Sequence, residues 1–211
     1  MLLLRESKGG KGMGRRLLTL AIACNVKTQS YEVICYDLHK ERLIPLELEN
    51  IDIEGKDGIY FDIGAVTEVE ALREQEIIYP VGTKRIIDRY SRKQLKQLFE
   101  REYVNVESFI GNKAVNKYSI IKLNMIKDLG FIKNNTYGIL PTISFYANGS
   151  LQKNIIINDY RWLNYVRATN EKEPGKLNDY KVLLNNQKQQ VYLIMNRIKP
   201  SRIYVAGVHY L

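Results

Sequence analysis

The sequence has little of what soft-metal and nucleophilic chemistry needs. Its 211 residues include two cysteines, Cys24 and Cys35, and two histidines, His39 and His209. Two cysteines supply neither a disulfide framework nor a four-cysteine zinc site. Both sit in apolar, strand-like runs that read as small buried thiols. Cys35 and His39 lie close in the chain but match no zinc spacing, and no base is placed to activate a thiol. No metal, no cofactor and no catalytic residue is expected, and both imidazoles are expected at the surface. Long hydrophobic runs are also missing. Met1–Leu4 is cut off by Arg5 and Glu6, too short for a signal-peptide core. The run from Leu17 to Ala23 is well below the length of a spanning helix. A cytoplasmic protein without a membrane role is the expectation. With 5 prolines, 14 glycines and 45% apolar residues, collagen-like and disordered classes are excluded.

What the chain has in excess is positive charge and tyrosine. The formal charge is +9 and the isoelectric point about 9.4, which points to an anionic partner. The excess is clustered. Arg5, Lys8, Lys11, Arg15 and Arg16 crowd the amino end, and seven cations fall between Lys84 and Arg101. Between these clusters, Glu47 to Glu76 holds ten carboxylates against Lys56 and Arg73. That segment is a candidate surface for protein partners of opposite charge.

The local pattern is mostly β. Leu17–Cys24 and Tyr31–Tyr36 read as paired strands across a polar turn, with Arg42–Leu48 as a third. Tyr60–Ile63 and Ala65–Leu72 read as further short strands separated by Gly64. Ser91 caps a helix to about Tyr103, with Leu95, Leu98 and Phe99 at i, i+3, i+4. Ser119–Met125 alternates, placing Ile121, Leu123 and Met125 on one side. Thr136–Tyr146 and Leu151–Ile157 flank Asn148-Gly149, a dipeptide that accepts the positive φ of a tight hairpin. Asp159–Val166 predicts a helical turn and Asn178–Leu184 a short helix. Gln190–Ile198 and Arg202–Tyr210 form a closing hairpin around Pro200. The expected class is mainly β with a few helices (β-rich α+β). Residues 1–105 would form a first barrel-like unit ending in the basic helix, and 106–211 a second.

The basic segments are the candidate site. Lys8-Gly9-Gly10-Lys11-Gly12-Met13-Gly14-Arg15-Arg16 offers flexible backbone and cations to phosphates. It lacks the Gly-Lys-Ser/Thr of a P-loop and precedes a strand, not a helix. Lys8, Lys11, Arg15 and Arg16, with Arg92, Lys93 and Lys96 on the helix, are the candidate phosphate contacts. Among the 15 tyrosines, Tyr31 and Tyr36 are candidates to stack a base; five residues apart on one strand, they point to opposite faces. The carboxylates Asp52, Glu54 and Asp62 are the only candidates for Mg²⁺-dependent nuclease chemistry.

Two β-rich halves, a basic glycine segment after a short first strand, and the terminal Tyr204-Val205-Ala206-Gly207-Val208 resemble the dual-OB domain family of prokaryotic conflict and defence systems. The resemblance implies two OB-like barrels in tandem and nucleic-acid binding in a defence or nucleic-acid-processing assembly. Three functions stay open at this point: non-catalytic binding of RNA or DNA, a scaffold subunit acting through residues 47–76, and a Mg²⁺-dependent nuclease.

Overall fold

The computed structural model describes residues 14–25, 28, 30–46, 53, 55–71, 80–111, 116–136, 138–172, 175–186, 189–199 and 202–211. The first apolar run becomes β1 (Gly14–Asn25), which turns back into β2 (Ser30–Asp37) and then β3 (Arg42–Leu46). A short helix, α1 (Lys56–Tyr60), leads to the hairpin β4 (Ala65–Ala71) and β5 (Pro80–Arg89). The sheet order is β3-β2-β1-β4-β5, with every pair antiparallel. A three-strand meander and a following hairpin that share the first strand, with a helix between them, make the strand order of an OB unit. Its edge strands β3 and β5 are not paired with each other among the described residues.

After β5 the chain runs through α2 (Arg92–Glu102), β6 (Tyr103–Val104) and α3 (Val106–Ile110) into a second sheet. This contains β7 (Tyr118–Lys122), β8 (Met125–Asn134), β9 (Gly138–Ala147) and β10 (Ser150–Ile157). Two helices, α4 (Tyr160–Lys172) and α5 (Lys176–Leu184), precede β11 (Val191–Lys199) and β12 (Arg202–Tyr210). The order is β6-β7-β11-β12-β10-β9-β8. Strands β7 and β8 are one bent strand. At the bend the Leu123 amide donates to Val191 and the Asn124 amide to Tyr146, so the strand leaves β11 and joins β9. With β10 and β12 paired in parallel, the circuit closes into a second OB barrel. The chain is therefore a β-rich α+β protein of two OB-like units in tandem.

Several local expectations are corrected. Tyr60–Ile63 is the end of α1 and a turn, not a strand. Strand β1 starts at Gly14, so Arg15 and Arg16 are strand residues, not part of a loop. Gly82 and Thr83, a pair whose sequence reads as a turn, lie inside β5. Met125 is exposed because the bend at residues 123–124 resets the alternation that Ile121 and Leu123 follow. His209 is buried, not at the surface. Cys35 is fully buried and burial pushes its thiol up to about 12, whereas Cys24 is half-buried. The hairpin at Asn148-Gly149 is as expected, with φ of 50° and 80°.

Three apolar clusters hold the molecule. One fills the second barrel, around Phe145, Leu193 and Val205. Another lines one face of the first sheet, around Leu17, Val33, Cys35 and Phe61. The third lies between the units: Leu18, Ala21, Ile34 and Val66 of the first sheet meet Tyr192, Ile194 and Ala206 of the second, with α2 supplying Leu95, Leu98 and Phe99. Strand β1 serves two of these clusters. A bulge between Thr19 and Ala21 switches the side-chain alternation, so Leu18 and Ala21 face the shared core while Leu17 and Ile22 face away.

Polar contacts register the two units. The Cys24 amide donates to the Asn158 carbonyl at 2.7 Å. Asp159, 1% exposed, accepts from the amides of Arg161 and Val208, each at 2.9 Å, tying the start of α4 to β12. His209 Nε2 lies 2.7 Å from the Leu20 carbonyl, an oxygen that only accepts, so this nitrogen carries the proton. Gly207 is where β12 passes β1: a Cβ there would fall 2.7 Å from the Ala21 Cβ.

Gly207→Ala is expected to destabilise the protein by about 1–3 kcal/mol through overpacking, read as a lower urea midpoint. Burial, and then the Arg161 cation, push the His209 imidazole down to about 4 from its ordinary 6.5. The unfolded chain therefore binds more protons than the folded one between these values. The His209 contribution to stability is complete above about pH 6.5 and is lost as pH falls toward 4, to a total of about 3 kcal/mol. Urea unfolding across that range is expected to slope less steeply in His209→Gln.

Candidate nucleic-acid interface

Cross-strand neighbours decide which cations are open. Arg15 Nη1 lies 3.4 Å from Asp37 Oδ2, and that carboxylate is fully buried. Asp37 also accepts from the amides of His39 at 2.9 Å and Lys40 at 3.1 Å, closing the turn after β2. Arg15 is thus the counter-ion of a structural carboxylate. Arg16 pairs across the sheet with Glu68 at 3.9 Å, and Arg85 on β5 reaches the same carboxylate at 2.8 Å. Arg89 pairs with Asp62 at 2.7 Å. Arg101 pairs with Glu102 at 2.7 Å and donates to the Tyr36 hydroxyl at 3.2 Å. Much of the charge that looks concentrated in sequence is balanced in space. Asp62 and Glu68, counted in the acidic segment, are drawn into these pairs.

The helix cations are different. Leu95, Leu98 and Phe99 turn one face of α2 into the shared core, so Arg92, Lys93 and Lys96 are directed to solvent. At 3.6 residues per turn these three fall within about 100° of arc. No ion-pair partner reaches any of them among the described residues. The nearest carboxylate along the helix is Glu100. It takes Lys122 at 2.9 Å and the Tyr192 hydroxyl, which together hold it below the usual carboxylate range. The first turn holds no acidic residue, and a capping box between Ser91 and Gln94 starts the helix. Three cations beside the positive end of the helix dipole make a local positive field, with Glu100 one turn beyond Lys96 as the nearest opposing charge on the helix.

The tyrosine candidates are occupied. Tyr36 is 1% exposed and sits in the shared core, so it has no face to offer a base. Burial, then the Glu102 carboxylate, push its phenol up to about 12. Tyr31 is half-buried and meets Tyr160 edge to face, ring centroids 5.2 Å apart. Lys8, Lys11, Asp52 and Glu54 lie outside the described residues. Among the described residues no three His, Cys, Asp or Glu side chains gather as a metal site, and no helix is long and apolar enough to cross a membrane.

The second barrel presents a set that sequence reasoning missed. OB units carry oligonucleotides across their second and third strands and on the loops joining strands one to two and four to five. Here those places are β9, β10 and the β8–β9 and β11–β12 connections. Lys133 ends β8, Lys153 lies on β10, and Lys199 and Arg202 flank the β11–β12 connection. All four are exposed and without an ion-pair partner among the described residues. Arg202 lies over the Tyr204 ring at 5.6 Å and donates to its hydroxyl, holding the ring beside the cation. Among the described residues, Asp128 on β8 is the one exposed carboxylate on the strands of this barrel, and Glu107 on α3 and Asp179 on α5 are exposed elsewhere in the unit. The i, i+2 spacing of Arg202 and Tyr204 within a strand was the available signal, since it places both on one face.

No protein-family model matches the sequence, and no curated protein matches it. Solved structures with similar chain paths include a murine DNA-binding protein bound to double-stranded DNA, at 6% identity and TM-score 0.37 over 92% of each chain. The tetrameric p202 HIN2 matches at 8% identity and TM-score 0.38 over 100% of each chain. The Ifi202 HINa domain in complex with a 20-bp duplex matches at 8% identity and TM-score 0.38, over 95% of this chain and 96% of that one.

Removing a paired cation and an open one should have different costs. Arg15→Ala leaves Asp37 buried without its counter-ion and is expected to cost about 1–2 kcal/mol. Arg92→Ala touches nothing buried and is expected to stay within about 0.5 kcal/mol. Urea midpoints of the two variants check this.

Proposed function

We propose that this protein binds nucleic acid without catalysing a reaction on it, using the second barrel as the principal surface and α2 as a further basic face. The observation that carries the reading is Lys133, Lys153, Lys199 and Arg202 at the strand and loop positions where OB units meet polyanions, with no ion-pair partner among the described residues. Tyr204, held by Arg202, supplies a ring for a base. Each cation placed on a phosphate releases condensed counter-ions, so affinity falls as a power of salt concentration. The resemblance to the dual-OB family supports a cytoplasmic role in a prokaryotic defence or nucleic-acid-processing assembly. In such an assembly the acidic segment 47–76 would serve protein partners.

Fluorescence anisotropy of a labelled oligonucleotide across a salt series tests the reading. Binding at low salt should give a straight log–log plot. The triple variant Lys153→Ala/Lys199→Ala/Arg202→Ala should reduce the slope by about 2–3, since each lost phosphate contact removes about 0.7–0.9. Arg85→Ala/Arg89→Ala, whose cations are already paired, should leave the slope nearly unchanged. Absence of binding at low salt to single strands and duplexes, RNA and DNA alike, overturns the proposal.

A further inference from the structure

Between the two units lies a cavity of about 360 Å³, unrelated to the basic faces. It falls within the range of about 300–1,000 Å³ typical of small-molecule sites. Helix α4 contributes Arg161, Trp162 and Tyr165, α5 contributes Tyr180, and β12 contributes His209 and Tyr210. Trp162 meets Tyr165 and Tyr180 at steep angles, with centroids 6.2 and 5.9 Å away, so rings form much of the wall. Leu95 of α2 and Ile63 close the side toward the first unit.

Two polar atoms in this wall, the Tyr165 hydroxyl and His209 Nδ1, are left open, and Arg161 stands at its rim. The Tyr165 hydroxyl oxygen is buried with no hydrogen-bond partner, which is a costly state for a polar atom unless something else meets it. The neighbouring Tyr180 phenol is pushed up, first by the Tyr165 hydroxyl beside it and then by burial. His209 donates from Nε2 to the Leu20 carbonyl, which leaves Nδ1 as a lone-pair acceptor. The Arg161 Nη2 stands 3.7 Å from Asp159 Oδ2, beyond hydrogen-bond reach, and its side chain is half exposed at the rim.

We infer that this cavity binds a neutral heteroaromatic base, as a free nucleoside or as an unpaired base of a strand. Aromatic walls favour a ring over an alkyl chain, which would leave the Tyr165 hydroxyl and His209 Nδ1 unsatisfied. A sugar alone would forfeit the ring contacts. One acceptor, one hydroxyl and a guanidinium around an aromatic enclosure match the mixed donor and acceptor edge of a nucleobase. The Arg161 charge faces Asp159, so the site has no spare cation to demand a phosphate.

Trp162 is the only tryptophan in the sequence and lines the cavity, so its fluorescence reports occupancy directly. Titration with adenosine, guanosine, cytidine and uridine, with excitation at the red edge of the indole band, is expected to give saturable quenching by at least one. Tyr165→Phe, which removes only the unpartnered hydroxyl, should weaken that binding about tenfold without loss of stability. Tyr210→Ala, at the exposed rim, should weaken it as well. Quenching only by an oligonucleotide with an unpaired terminal base, and not by its abasic counterpart, also supports the site and assigns the base to a strand. Absence of quenching by nucleosides and oligonucleotides, or quenching that both variants leave unchanged, overturns the proposal. That failure is separate from failure of the basic surface, which is read by the salt slope of the labelled oligonucleotide.

Discussion

The burial of one sheet face against another is the constraint on which the other features depend. Each OB unit turns an apolar outer surface toward its neighbour, and neither surface would be stable in water. Leu18, Ala21 and Ile34 on one side and Tyr192, Ile194 and Ala206 on the other form a single core, with α2 as the third layer. The approach is close enough that Gly207 meets the Ala21 methyl. From this packing follow the outward turn of the α2 cations, the burial of Tyr36 and His209, and the aromatic cavity between α4, β12 and the first unit.

Charge in this protein is sorted by geometry more than by amount. On the first sheet, antiparallel pairing sets Arg16 and Arg85 on either side of Glu68, so the sheet consumes its own charges. Around Arg92 and Lys93 of α2, and around Lys133, Lys153, Lys199 and Arg202 of the second barrel, no carboxylate forms an ion pair among the described residues. A polyanion arriving at the second kind of surface replaces solvent and counter-ions. At the first kind it would have to displace a carboxylate, a far less favourable exchange.

Alternation and capping made much of the fold legible. The strands around Leu17–Cys24 and Tyr31–Tyr36, the helix after Ser91, the hairpin at Asn148-Gly149 and the pairing of β11 with β12 are each set by neighbours in sequence, which is why local pattern finds them. The misses have non-local causes. Strand β5 carries Pro80 and Gly82 and is stabilised by pairing with β4, and the bend at Leu123-Asn124 is imposed by closure of a barrel through β11 and β9. The site was less legible. Clustering along the chain selected Arg15 and Arg16, yet their partners Asp37 and Glu68 lie far away in sequence, and only folding brings them together. Lys153, Lys199 and Arg202 escaped notice because they come from separate strands and form no run.

The long-range bond between His209 and Leu20 spans nearly the whole chain, and so does the seating of β12 on β1. During synthesis the first unit leaves the ribosome before the strand that covers it. Until that strand arrives, Leu18, Ala21, Ile34 and Val66 stand uncovered. The nascent chain therefore carries an oily flank until β12 emerges, a state that favours aggregation and recruits chaperones. Truncations that remove β12 would leave that flank open permanently, turning a small lesion in one unit into misfolding of the other.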